Sequence, residues 1–449
     1  MMKHKLNCFL IAMTFVLLLL TGHVHALSLL DAYESAIEND PTFRAAVHEN
    51  EAGQQEKEIG LAGLLPNLSI THTQSKSTGE QKSSVPGAPP GFQPLNFNSE
   101  VSTLALRQPI INMEAVASYR QGISQAKTSD ARFTGHSQLL MLRLVEAYIE
   151  TLLAQDNLKL IEAQRDTFEE RKRINEQMLE RGEGTTTDVL ETQSKYALAL
   201  AQVIEASDEL EVSRMKLSAI IGRDTKQLSR LSNNFRTQAL HILPYDSWQT
   251  LALDHNAELL TQRYTVVSGR EEIKKSHSGH APRVDLVASL SRNKAASFIT
   301  PDRDVRLATI GVEVNIPLYA GGRVNAITSQ ARANLARTEA DLDAMIDNTL
   351  VELRKQYKLV SSSTRRIESL EFAVESAELL VHATQKSIQG GIRINLDLLD
   401  AQQQLFSVQG DLAQARYSYL LAYLRLKQAA GTLALEDLQN IAAYFVLND

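Results

Sequence analysis

One stretch of this chain occurs twice, and that repetition constrains the fold more than anything else in the sequence. Residues 390–406 read GGIRINLDLLDAQQQLF, and residues 181–197 read RGEGTTTDVLETQSKYA, which places Asp397 opposite Asp188. The likeness extends outward. SAIENDPTFRAAVHEN from Ser35 resembles LALDHNAELLTQRYTV from Leu251, Pro66 falls opposite Pro282, Pro109 opposite Pro317, and Gly222 opposite Gly431. A period of about 200 residues is far longer than the 20–50 residues of solenoid repeats. The expectation is a duplicated fold, with a first copy over 27–240 and a second over 241–449.

Each copy reads as a helix, two strands, a long helix and a shorter helix. The strands follow period-two alternation. Leu68 and Ile70 carry it in the first copy, and Val284, Leu286, Ala288 and Leu290 in the second, followed by Ile310, Val312, Val314 and Ile316. Strands are expected at about 67–78, 98–109, 283–293 and 304–317. The four prolines named above are expected at helix–strand junctions, where a missing N–H does least harm. Phe92, Phe97, Phe298 and Tyr319 are the few aromatic residues near the strands.

The helices are expected at about 32–62, 112–180 and 187–222, and again at about 323–388 and 396–430. At ~1.5 Å per residue the longest would span about 100 Å. Helices beyond 25 residues suggest coiled coil. In the last one Leu398, Leu405, Leu412, Tyr419 and Leu426 recur every seven residues, with Ala401, Val408, Ala415 and Ala422 at the complementary position. That is an a/d seam. A neighbouring stripe of Leu399, Phe406, Ala413 and Leu420 gives this helix a partner on each side. Thr187 and Asn395 are expected as N-caps of the helices that follow the two glycine turns, with Asp188 and Asp397 in their first turns.

Residues 1–26 have the marks of a secretory signal: Lys3 and Lys5, an apolar run from Phe9 to Leu20, and Val24-His25-Ala26 before the cut. The only cysteine, Cys8, leaves with it, so the exported chain does without disulfides. A formal charge of −7 offers no basic footprint for nucleic acid. No later segment is apolar for long enough to be a membrane-spanning helix. Two hairpins cannot close a membrane barrel alone, since about eight strands are the minimum. Yet strands of ten residues need their edges paired. Association of two or three copies would supply eight or twelve strands.

Catalytic chemistry is sparse. There is no Walker loop, nucleophile elbow or HExxH. His277 and His280 have no further ligand near them in sequence, Asp341 and Asp343 suit a solvated helix face, and Gly321-Gly322 suits a flexible passage from strand to helix. No enzyme activity, cofactor or metal is expected.

The duplicated unit, AIENDPTF, the Pro-Leu-Tyr-Ala-Gly-Gly segment at 317–322 and LDLLDAQQQLFSVQGDLAQARYSYL together resemble the TolC family of outer-membrane channel proteins. The resemblance covers essentially the whole exported chain. It implies a mainly α protein with a membrane β part: a homotrimer whose twelve-stranded β-barrel lies among outer-membrane lipid and continues into a twelve-helix periplasmic α-barrel of long coiled coils. It implies a passive exit duct, working with a periplasmic adaptor and an inner-membrane ABC or proton-driven transporter, and the N-terminal segment is similar to the branch serving type I protein secretion. A multidrug efflux duct stays open as an alternative, and so does a periplasmic coiled-coil adaptor or scaffold.

The resemblance also assigns roles near the two turns. Asp397 and Asp400 would line the constricted periplasmic entrance as an acidic ring, a device that favours cations. Thr187, Asp188 and Arg393 would latch that entrance closed. Arg181, Gly182, Gly390 and Gly391 would be turns on which adaptor hairpins dock. The pattern departs at Ile388, where the family has a tyrosine completing a second link.

Overall fold

The computed structural model describes residues 27–83, 91–224, 227–232, 235, 243–295, 303–390 and 392–446. The proposed signal segment, Phe298 and Gly391 lie outside these residues. In chain order the elements are α1 (Leu29–Asn39), α2 (Pro41–Ala62), β1 (Asn67–Ser83), β2 (Gly91–Ile111), α3 (Met113–Glu180), α4 (Thr186–Ile221) and β3 (Arg230–Leu231). Then come α5 (Tyr245–His255), α6 (Ala257–His277), a short 3-10 turn, β4 (Arg283–Ala295), β5 (Arg303–Asn315), α7 (Arg323–Gln389), α8 (Asn395–Ala429), α9 (Leu435–Ala442) and β6 (Phe445–Val446). The chain separates into two compact units, one of Met1–Ala46, Thr134–Asn256 and Asn348–Asp449, the other of Val47–Phe133 and Ala257–Asp347.

The first unit is helical. Leu140, Leu144, Tyr148 and Leu152 recur on one face of α3 and are buried against Leu29 of α1, Leu217 and Ile221 of α4, Leu353 and Val360 of α7, and Tyr419, Leu420 and Leu426 of α8. Burying a side chain of this size stabilises by about 1.5–3 kcal/mol. Of the seam residues, Leu398, Ala401, Val408, Ala415, Tyr419, Ala422 and Leu426 are buried, while Leu405 and Leu412 are half-buried. The Tyr148 hydroxyl donates to the carbonyl oxygens of Leu27 (2.8 Å) and Ser229 (3.1 Å), tying two non-helical segments to α3.

The first helix is not the single run expected over 32–62. It breaks at Asp40, whose backbone is extended (ψ 116°), because the residue before a proline is pushed out of the helical region. Buried Asp40 then serves both sides. Its N–H donates to Ala36 O, and its Oδ1 accepts from Phe43 N at 2.6 Å and pairs with Arg143 at 2.8 Å. Asn256 makes the corresponding break between α5 and α6, its Nδ2 donating to Ala429 O at 2.9 Å. At each break a left-handed glycine packs close: Gly222 (φ 74°) against Asn39, and Gly431 (φ 70°) against the His255 carbonyl.

The second unit holds an antiparallel sheet in the order β1-β2-β4-β5. The register sets Ile70 opposite Leu104, Leu104 opposite Leu290, and Leu290 opposite Ala308. One face therefore collects Leu68, Ile70, Leu104, Leu106, Val284, Leu286, Leu290, Ile310, Val312 and Val314. This face is bare: Ile70 is 78% exposed and Ile310 76%. The other face carries Ser69, Thr71, Thr73, Thr103, Ser289, Ser291 and Thr309, with Val287 and Leu307 among them. On it Arg107 pairs with Asp285 (2.6 Å) and Glu313 (2.8 Å), while Arg283 adds a second contact to Asp285 at 2.9 Å.

Pro109 is not at a junction as expected. It lies within β2, where Pro109 faces Asp285 and Ile111 faces Val284, leaving Ile110 as the extra residue of a bulge. A bulge is where a strand tolerates a residue lacking an N–H.

Candidate functional site

The two glycine turns both belong to the first unit. After α3 ends at Glu180, Gly182 adopts φ 75°, and the N–H groups of Glu183 and Gly184 both donate to Met178 O (2.9 and 3.1 Å). These bonds satisfy a carbonyl that the helix end would leave bare. The cap of α4 is then Thr185 and not Thr187. Thr185 Oγ1 accepts from Asp188 N at 3.1 Å, while Asp188 Oδ2 accepts from Thr185 N at 3.2 Å and from Thr185 Oγ1 at 2.6 Å. Thr185 wins because Asp188 stands three residues on, as a reciprocal capping pair requires. Thr187 is exposed.

At the second turn Gly390 N donates to Lys386 O (3.1 Å) and Ile392 N to Ser387 O (3.0 Å). α8 begins at Asn395 itself, so its cap is Ile394, whose N–H donates to Asp397 Oδ2 at 3.3 Å. Asp397 is half-buried, and Arg181, Gly182, Gly390 and Arg393 are exposed. Arg393 makes no ion pair with Asp188 within the chain; among the described residues it pairs with no carboxylate. Ile388, on the last turn of α7, is half-buried.

Beneath the turns, Phe168 of α3, Ala199 of α4 and Leu399 of α8 form a small buried cluster, with Tyr196 against it. It fixes the rotation of α8, since Leu399 must point inward, and so fixes where Asp397 and Asp400 emerge. Asn175 braces the first turn: its Nδ2 donates to Thr192 Oγ1 at 2.6 Å, and Thr192 Oγ1 donates to Asp188 O at 2.7 Å. Lys195 of α4 crosses to α8, donating to Asp400 Oδ1 at 3.2 Å and Gln403 Oε1 at 2.6 Å. Sequence reading missed Lys195, Gln403 and the Asn175–Thr192 pair. Lys195 stands four residues after Glu191, and local spacing points to that neighbour instead of to a helix 205 positions away.

Among the described residues no group of three or more His, Cys, Asp or Glu could hold a metal ion. The His277 and His280 rings stand 5.8 Å apart, edge to face, and His280 bonds Asn325. Among those residues no helix is long and apolar enough to cross a membrane.

The sequence profile of the family described as "Outer membrane efflux protein" matches residues 32–223 and 248–432. The chain belongs to the outer membrane efflux protein family. Among relatives in the outer membrane efflux protein family, the alkaline protease secretion protein AprF of Pseudomonas aeruginosa is 40% identical over 96% of this chain and 90% of its own length. The proteases secretion protein PrtF of Dickeya chrysanthemi is 37% identical over 97% of this chain and 95% of its own. In fold, the chain is similar to the CmeC outer membrane channel of Campylobacter jejuni, with a TM-score of 0.78 at 15% identity, over 93% of this chain and 89% of that one.

Proposed function

We propose that this chain is the outer-membrane exit duct of a type I protein secretion system, with proteases as its cargo. It is a passive conduit and not an enzyme, resident in the outer membrane of a Gram-negative bacterium and reaching into the periplasm. A periplasmic adaptor and an inner-membrane ABC transporter would deliver the cargo. The observation that carries the reading is the four-stranded sheet with one bare apolar face, in a chain 40% identical to a protease secretion protein. A bare apolar face of this size on an exported chain calls for lipid or a partner. The outer strands β1 and β5 each have one edge unpaired among the described residues. Three copies joined edge to edge would give a twelve-stranded barrel with lipid outside and the hydroxyl-bearing face inside.

On this reading residues 1–26 are the export signal, and 27–240 and 241–449 descend from one duplicated unit. Asp397 and Asp400 form the acidic ring at the periplasmic entrance. Arg393, exposed and without a carboxylate partner among the described residues, latches to Thr187 or Asp188 of a neighbouring copy. Arg181, Gly182, Gly390 and Gly391 receive the adaptor, with exposed Ile392 and Ile394 beside them as apolar contacts.

Complementation tests the proposal. In a strain retaining the adaptor and transporter of a protease exporter but lacking its outer-membrane component, this chain should restore protease to the medium. Restored tolerance to toxic compounds without extracellular protease would select the efflux reading. Restoration of neither, with the protein present in the outer membrane, would sink the duct.

A further inference from the structure

The contact between Lys195 and Asp400 changes the electrostatics of the proposed entrance. Asp397 and Asp400 lie three residues apart on α8 and so share a face. On their own they would contribute two negative charges per chain. Lys195 brings a positive charge within 3.2 Å of Asp400 Oδ1 and is held there by a second bond, 2.6 Å, to Gln403 Oε1. The Lys195 side chain is 26% exposed and that of Asp400 62%. A pair this open contributes only about 0–1 kcal/mol to stability. Its larger effect is on the local field, because an ammonium beside a carboxylate cancels most of that carboxylate's potential at any distance well beyond their separation.

The arrangement is one-sided. At the repeat spacing, Asp400 corresponds to Glu191 and Lys195 to Gln404, so the duplicated position has the acid without the base. Helix packing does not demand a lysine there. The buried cluster of Phe168, Ala199 and Leu399 already holds α4 against α8.

We propose that Lys195 is a selectivity-determining residue: through Asp400 it sets the Asp397–Asp400 ring at one net negative charge per chain, carried by Asp397, instead of two. This rests on the reading of Asp397 and Asp400 as the lining of the entrance. A narrow pore with a moderated negative ring would admit cations while repelling acidic stretches of a passing polypeptide less strongly than an uncompensated ring does.

Ion selectivity of the full-length mature protein in planar bilayers, in potassium chloride gradients, tests this with D397N, D400N, K195Q, K195R and the K195Q/D400N double variant. The expected pattern is a cation-over-anion permeability ratio that falls in D397N and in D400N. In K195Q it should rise by about two-fold or more, and in K195R it should stay at the wild-type value. The double variant should return to near wild type, because it restores one net charge per chain. If the aspartate variants lower the ratio while K195Q leaves it unchanged and the double variant behaves as D400N, Lys195 has no part and the acidic entrance stands. If none of the substitutions moves the ratio, the entrance reading fails and this inference with it.

Discussion

Tyr417 of α8 donates its hydroxyl hydrogen to Asp156 of α3 across 2.8 Å. Burial pushes the Asp156 carboxyl above its ordinary value of 3.8, against the opposing pull of the Tyr417 bond and of Arg230 nearby. The Tyr417 phenol is raised too, first by burial and then by the negative charge beside it.

A carboxyl whose pKa is raised by folding binds its proton more tightly in the folded state. Its stabilising contribution is full below 3.8 and is lost as pH rises through the raised folded value. Asp156→Asn removes that loss while keeping an acceptor for Tyr417. Thermal unfolding in detergent should therefore show the variant gaining on the wild type as pH is taken from about 4 to about 7. A difference that stays flat over this range would mean that Asp156 is not desolvated.

Tyr148→Phe removes the hydroxyl that both Leu27 O and Ser229 O accept from, leaving Leu27 O with the Ser229 N–H (3.2 Å) and depriving Ser229 O of its Tyr148 donor. The expected loss is about 1–3 kcal/mol, read from the denaturation midpoint. Faster amide exchange should be confined to the residues around Leu27 and Ser229. Uniformly faster exchange would argue that the hydroxyl supports the whole core.

Two glycines with nearly the same backbone should respond differently to alanine. Gly182 has φ 75° with open space where a Cβ would stand, so Gly182→Ala should cost about 1–2 kcal/mol, the left-handed penalty alone. Gly431 has φ 70°, but its Cβ would strike the His255 carbonyl and the Asn256 nitrogen. Gly431→Ala should cost distinctly more and lower folded yield in the outer membrane, whereas Gly182→Ala should not. Equal effects would show that the backbone at 255–256 can give way.

Leu399 is fully buried between Phe168 and Ala199. Leu399→Ala should destabilise by about 2–5 kcal/mol and loosen the first turns of α8, detectable as faster exchange there with α3 unchanged near Leu144. Protection equal to that of the wild type would mean that the cluster does not hold α8.

Family and function class were legible because they rest on ordered local motifs. So was the character of β5, where Ile310, Val312 and Val314 alternate along the sequence and share one face of the sheet. The same kind of reading missed the break at Asp40. The local cause, Pro41, disfavours helical backbone at Asp40, but the ion pair with Arg143 that holds Asp40 at the break comes from a residue about 100 positions away. Thr187 is a residue type that suits a cap ahead of Asp188, but a reciprocal cap needs its acid three residues on, which selects Thr185. Lys195 was missed for a related reason: a helix surface announces its i+4 neighbours, whereas a cross-helix partner depends on packing fixed by Leu399 and Phe168.

The unequal lengths of the two hairpins have a practical consequence. Pairing between β1 and β2 continues for the eight pairs from Lys76–Asn98 to Ser83–Gly91, beyond Ser99–Ala295, where β4 last touches β2. Over those pairs the chain is a two-strand ribbon with no third strand at its side among the described residues, and such ribbons are marginal in isolation. A peptide tag inserted there would leave every β2–β4 and β4–β5 hydrogen bond intact. On the proposed orientation it would sit outside the cell, where an antibody could count assembled ducts on living bacteria.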